Sequence, residues 1–120
     1  MRDPDSRLSA EEEVLVRGLA DYVSAAEVID LGRETRDEPA GDSLRSAVGV
    51  VSRLIDNNLV VAGDLWDDFM PWDCSADEAI GRIAHEWTAK ADPFVLPGEI
   101  FWLELTSAGE EIARAALARG

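Results

Sequence analysis

The chain has 120 residues, 47% of them hydrophobic, and carries 25 acidic against 11 basic side chains, a formal net charge of −14. That length suits one hydrophobic core rather than two, the composition is that of a globular chain, and no apolar run approaches the roughly 18 residues of a membrane span. One cysteine, Cys74, and one histidine, His85, exclude an intrachain disulfide, a Cys-rich zinc site and a second ligand that would make His85-Glu86 a zinc-protease motif.

Residues 1–8 are expected to be a flexible arm and residues 9–120 one domain. Met1-Arg2-Asp3-Pro4-Asp5 lacks the apolar segment of a signal peptide, which makes the cytoplasm the expected compartment. Ser9-Ala10-Glu11-Glu12 is a capping box, in which hydroxyl and carboxylate satisfy free first-turn N–H groups reciprocally, and predicts a helix start. Leu15, Leu19, Tyr22, Val23 and Ala26 continue one apolar face, with Tyr22 read as a core residue. Glu27-Val28-Ile29-Asp30-Leu31 fits either an extended segment or the start of a second helix. Glu38-Pro39-Ala40-Gly41 predicts a loop, through the fixed proline dihedral and the permissive glycine.

The strongest periodicity follows. Leu44, Ala47, Val48, Val51, Leu54 and Ile55 predict a helix over residues 43–56, N-capped by Asp42 or Ser43 and ended by Asn57 or Asn58 in the left-handed conformation. Leu59-Val60-Val61-Ala62 then reads as a strand. Between it and the next strand, Asp64, Trp66, Asp67, Asp68, Trp72 and Asp73 interleave acids with large aromatics, and Pro71 argues for an irregular or edge segment. Ser75-Ala76-Asp77-Glu78 repeats the capping box before a helix with Ala79, Ile80, Ile83, Ala84 and Trp87 on one face, expected to pack on the hairpin. Residues 99–105 form a second strand, antiparallel to the first. Thr106 caps a last helix docked by Ile112, Ala116 and Leu117.

A helix, two strands and then Leu105-Thr106-Ser107-Ala108-Gly109 opening a helix resembles the winged-helix arrangement of bacterial regulators. The resemblance implies an α+β fold: a small antiparallel hairpin, four to five helices, and a helical insertion at about residues 64–98 in place of a short wing. It also implies that residues 43–56 hold the position of a recognition helix, where only Arg45 and Arg53 offer positive charge to DNA.

From Asp56 to Glu111 thirteen carboxylates face two cations, Arg82 and Lys90, a net of −11. Such a surface repels phosphate backbones and attracts basic partners. No nucleophile with a base, phosphate loop or calcium-loop spacing is legible, so no enzyme, cofactor or metal is expected. Small size, acidity and absent catalytic groups resemble, by type, the immunity proteins of bacterial polymorphic-toxin and contact-dependent growth inhibition systems. That resemblance implies a basic, nuclease-like toxin domain as partner. Asp64, Trp66, Asp67, Asp68, Trp72 and Asp73 are the expected contact residues, since aromatic burial supplies energy while charge steers encounter. A winged-helix transcriptional regulator using Arg45 and Arg53, or an adaptor module, is the rival expectation.

Overall fold

The computed structural model describes residues 8–36 and 40–119, and the side chains of these except 32–36 and 40–42. Residues 1–7 of the arm expected over residues 1–8, and the turn expected at Glu38-Pro39, lie outside the described residues. The fold is α+β. Among the described residues, five helices and four strands follow the order α1 (Ala10–Ala20), β1 (Val23–Ser24), α2 (Ala25–Arg36), α3 (Ala40–Asp56), β2 (Val60–Leu65), β3 (Phe69–Pro71), α4 (Ala76–Thr88), β4 (Trp102–Leu105) and α5 (Ser107–Arg119). No helix is long and apolar enough to cross a membrane among these residues.

The capping boxes at Ser9/Glu12 and Ser75/Glu78 both close as the sequence predicts, and a third stands at Ser24/Glu27. The third corrects the N-terminal reading. Helix α1 ends at Ala20, so Tyr22, Val23 and Ala26 do not continue its face: Val23 pairs with Leu103 in the sheet, and Ser24 beside it caps α2. Residues 27–31 are therefore helical. Helix α3 also begins three residues before the expected start. It takes in Ala40 and Gly41 of the expected loop, and Asp42 and Ser43 lie inside it instead of capping it.

At the far end of α3 the expectation holds in detail. Asn58 takes φ 58, the Leu59 N–H reaches back to the Leu54 carbonyl (2.9 Å), and the Asn58 N–H reaches Ile55 (2.9 Å). These are the paired bonds of a Schellman end, which satisfies the last helical carbonyls and turns the chain directly into β2.

The predicted pairing of the two strands is antiparallel, with Val60 opposite Leu105 and Gly63 opposite Trp102. The second strand is shorter than expected, because residues 99–101 belong to the loop before it. The sheet is wider than a hairpin, in the order β1-β4-β2-β3, with β1 and β3 as its edges. Its join to α5 explains the Leu-Thr-x-x-Gly segment. The Thr106 N–H donates to the Leu59 carbonyl (3.0 Å), while the Thr106 hydroxyl donates to the Asn58 carbonyl (2.8 Å) and accepts from the Gly109 N–H (3.1 Å). A Cβ on Gly109 would stand 2.1 Å from the Leu59 carbonyl oxygen. No other residue fits without moving backbone.

One buried cluster joins all five helices to the sheet. Its largest fully buried members include Leu15, Ile29, Leu54, Ile83, Trp87, Phe101 and Leu103. Helix α5 docks on α1 through Gly109, Ala113 and Ala116, small residues that admit close approach; Ile112 and Leu117, expected to dock it, are exposed. Helix α4 packs chiefly on α3 rather than on the hairpin, because its stripe of Ala79, Ile83 and Trp87 meets the apolar face of α3. Trp87 also reaches Phe101, edge to face at 5.5 Å, and its Nε1–H donates to the Pro93 carbonyl (2.9 Å).

Replacing Leu54 or Leu103 by Ala should destabilise by about 2 to 5 kcal/mol through cavity formation. Gly109→Ala should cost about 1 to 3 kcal/mol or more, as overpacking does, despite its gain in helix propensity. Denaturant unfolding of the three variants measures both effects; a loss below about 0.5 kcal/mol, the range of ordinary surface changes, would contradict the packing described.

Glu12 supplies a pH prediction. The Ser9 backbone N–H, and after it the guanidinium of Arg119, hold its carboxyl below the ordinary glutamate range. A depressed folded-state value adds stability that is present above the unfolded value and is lost as pH falls through the folded one. The Tm advantage of the wild-type chain over Glu12→Gln should therefore be full near neutrality and shrink below about pH 4.3. An advantage independent of pH would refute the linkage.

Candidate functional site

Strand β2 continues two residues beyond its pairing with β4, and β3 returns beside it with Leu65 opposite Phe69 and Asp64 opposite Met70. The Trp66 N–H donates to the Asp68 carbonyl (3.2 Å), which closes the turn. The segment expected to be irregular or an edge is thus a projecting hairpin with β3 at the edge of the sheet, and its tip is Trp66-Asp67-Asp68. Gly63 sets its geometry, since a Cβ there would lie 2.3 Å from the Met70 carbonyl oxygen. Pro71 stands in the edge strand, the position the missing N–H dictates. Next to the tip, Phe69 stacks on Tyr22, ring centroids 5.3 Å apart, so Tyr22 is half-buried against an aromatic rather than within α1's stripe.

The six expected contact residues divide into two groups. Trp66 is 81% exposed, and Asp67 and Asp68 beside it are exposed, pairing with no cation among the described residues. Asp64, Trp72 and Asp73 instead line a cleft of about 480 Å³ together with Met70, Glu78 and Arg82. Trp72 folds onto the core, with the Arg82 guanidinium 3.8 Å above its ring. Its Nε1 is buried and has no acceptor among the described residues. Of the two tryptophans, Trp66 is the exposed one; Trp72 belongs to the body of the domain.

Two exposed apolar residues escape the sequence pattern, Met70 at 56% and Leu96 at 71%. Alternation along β3 carries a signal for the first, because Phe69 and Met70 must face opposite sides. Leu96 sits in the loop that enters β4 from the end of the sheet where the hairpin projects. That loop is tightly braced. Glu99 accepts from the Leu96 N–H (2.8 Å) and from Lys90 (3.0 Å), and both, the amide foremost, lower its pKa. Ile100 is held at φ 71, in the left-handed region a β-branched side chain avoids.

Both rival DNA-contact residues lie on α3: Arg45 is exposed, and the Arg53 guanidinium pairs with Glu11 of α1. Other cations are likewise matched, Arg17 by Glu27, Arg82 by Glu86, Lys90 by Glu99, Arg114 by Glu110 and Arg119 by Glu12. Among the described residues, no three side chains of metal-ligating type gather.

The two tryptophans should respond differently to truncation. Trp66→Ala should leave stability within about 0.5 kcal/mol of wild type, as exposed substitutions do. Trp72→Ala should cost more, toward the roughly 3 to 5 kcal/mol of a buried aromatic, because it removes packing and the partner of Arg82. Paired melts decide between them, and equal losses would contradict the division of the site.

Compared with known proteins, the chain matches no family model, no curated protein and no solved structure.

Proposed function

We propose that this chain is a non-enzymatic protein-binding module, an immunity protein that neutralises a basic toxin domain in the cytoplasm by direct contact. The observation that carries the reading is Trp66, 81% exposed at the tip of a projecting hairpin and flanked by the exposed carboxylates of Asp67 and Asp68. An indole so placed exposes a large apolar surface to water, and its burial in a partner is the favourable outcome. Unpaired carboxylates around it draw cationic surfaces and repel nucleic acid.

The fold reading behind this proposal is a winged helix with an enlarged wing. It is supported by β1, which lies between α1 and α2 and pairs outside β4, by the adjacent β2 and β4, and by α3 immediately before β2. On that reading β3, α4 and the loop to β4 are the enlargement, and the wing has become the contact element. The transcriptional-regulator alternative has the same topology in its favour. It has the Arg53–Glu11 pair against it, since one of its two cations is already neutralised.

The decisive measurement is binding kinetics against a purified basic toxin domain encoded beside this gene, at two salt concentrations. Asp67→Asn with Asp68→Asn should slow association and flatten its salt dependence, because rim charges act on encounter. Trp66→Ala should raise the dissociation rate roughly 30-fold, the equivalent of a hot-spot residue of about 2 kcal/mol. Unaltered kinetics in both would place the contact elsewhere, and selective retention of one sequence from random oligonucleotides would favour the regulator.

A further inference from the structure

The sheet has two faces of different character. Side chains alternate along a strand and cross-strand partners share a side, so the buried Val60, Ala62 and Leu103 mark the inner face. Val61, Leu65, Phe69, Trp102 and Glu104 then mark the outer one. Tyr22 joins this outer face from beyond β4 through its stack on Phe69, ring centroids 5.3 Å apart. Gly63 lies beneath the same ring, where a Cβ would come within 2.8 Å of the Phe69 Cζ.

An antiparallel sheet with one open face ordinarily turns polar residues outward. Among the strand residues paired across this face, Glu104 alone carries charge. Tyr22, Val61, Leu65, Phe69 and Trp102 are half-buried, and among the described residues none belongs to the core cluster or packs against it. They make a second apolar layer whose outer side meets water, the kind of surface that a partner covers. The charge at its two ends selects the partner. At one end Asp21, Tyr22, Glu104 and Glu110 line a cleft of about 380 Å³ against the last turn of α1, whose carbonyls add the negative end of a helix dipole. Glu110 pairs with Arg114, whereas Asp21 and Glu104 pair with no cation among the described residues. At the other end, past Leu65, stand the exposed Asp67 and Asp68. Phosphate backbones are repelled by both ends, and a second copy of this chain would bring like charges against them.

We propose that the outer face of the sheet docks an extended segment of a basic protein partner, with apolar side chains laid over Val61, Leu65 and Trp102 and an arginine at each end. One arginine enters the cleft beside Tyr22, where an aromatic ring and carboxylates suit a guanidinium; the other meets Asp67 and Asp68. From Val61 to Leu65 is about 13 Å of strand at roughly 3.3 Å per residue, so the two arginines stand about six residues apart. This inference rests on the reading of the chain as a binder of a basic protein, and adds the surface and the form of the segment it takes.

The probe is acetyl-Arg-Thr-Leu-Thr-Leu-Thr-Arg-amide, whose leucines and arginines share one side when extended, with a counterpart carrying neutral citrulline in place of arginine. Both are titrated into the full chain and followed by backbone amide shifts. The arginine peptide should move the amides of Tyr22, Val61, Leu65, Trp102 and Glu104 and bind roughly tenfold more tightly than the citrulline peptide, as charge-assisted hydrogen bonds do. Glu104→Gln should weaken it roughly two- to fivefold, the range of an exposed ion pair, while Asp56→Asn on α3, the same change of charge away from the face, leaves it unaltered. The proposal is overturned by absence of binding at millimolar concentration, by equal affinities for the two peptides, or by shifts confined to residues 66–68. It is equally overturned if the same amides move with protein concentration alone, which assigns the face to a second copy, or if oligothymidylate moves them more strongly than the peptide. Failure here is separable from failure of the functional reading. Against the toxin domain, altered kinetics in Trp66→Ala but not in Glu104→Gln would remove the face and keep the reading, and unaltered kinetics in both would remove both.

Discussion

The carbonyl oxygen of Leu59, on which the rest of the fold depends, emerges from the left-handed turn at Asn58, accepts the Thr106 N–H, and lies where a side chain on Gly109 would have to be. Because Val60 pairs with Leu105 on the next residue of each strand, the junction fixes the β2 and β4 register from its end. A slip by one residue would exchange the faces of β4, turning the buried Leu103 outward and the exposed Glu104 into the core. The same contact lays α5 against α1, since Gly109 begins the Ala113 and Ala116 stripe that meets it.

How much of this is legible in the sequence depends on how local each signal is. Capping at Ser9 and Ser75, the α3 stripe and the Asn58 ending are written within four or five residues, and the structure realises them as read. Strand β1 has two residues, too few for a period of two to show, and Ser24 serves both strand and cap. The apolar positions on either side of it therefore read as one continuous helical face. The packing partner of α4 is a tertiary fact: its stripe says that it is covered, not by what.

The site is legible in composition but not in arrangement. The six expected contact residues all lie on the hairpin or just after it, yet nothing local distinguishes the tryptophan that faces water. The outcome is decided by a residue distant in sequence. Arg82, from α4, stacks on Trp72 and holds it to the domain, while the turn closed at Asp68 carries Trp66 into solvent. Charge shows the same separation between total and placement. A net of −14 describes the chain, but internal pairing consumes the carboxylates of Glu11, Glu12, Glu27, Glu86, Glu99 and Glu110, leaving the tip acids unmatched among the described residues.

The edges of the sheet carry a different consequence. Strand β1 offers only two residues, and β3 offers three, the last of them Pro71, which cannot donate a hydrogen bond. An extended strand from another copy would find too short a ladder on one side and an interrupted one on the other, so polymerisation through backbone pairing is blocked at both borders. A chain that displays an indole on a protruding arm would otherwise combine an adhesive side chain with an adhesive backbone. Here the short edges leave the backbone little to offer a neighbour, and the exposed surface at this end of the sheet is presented by side chains.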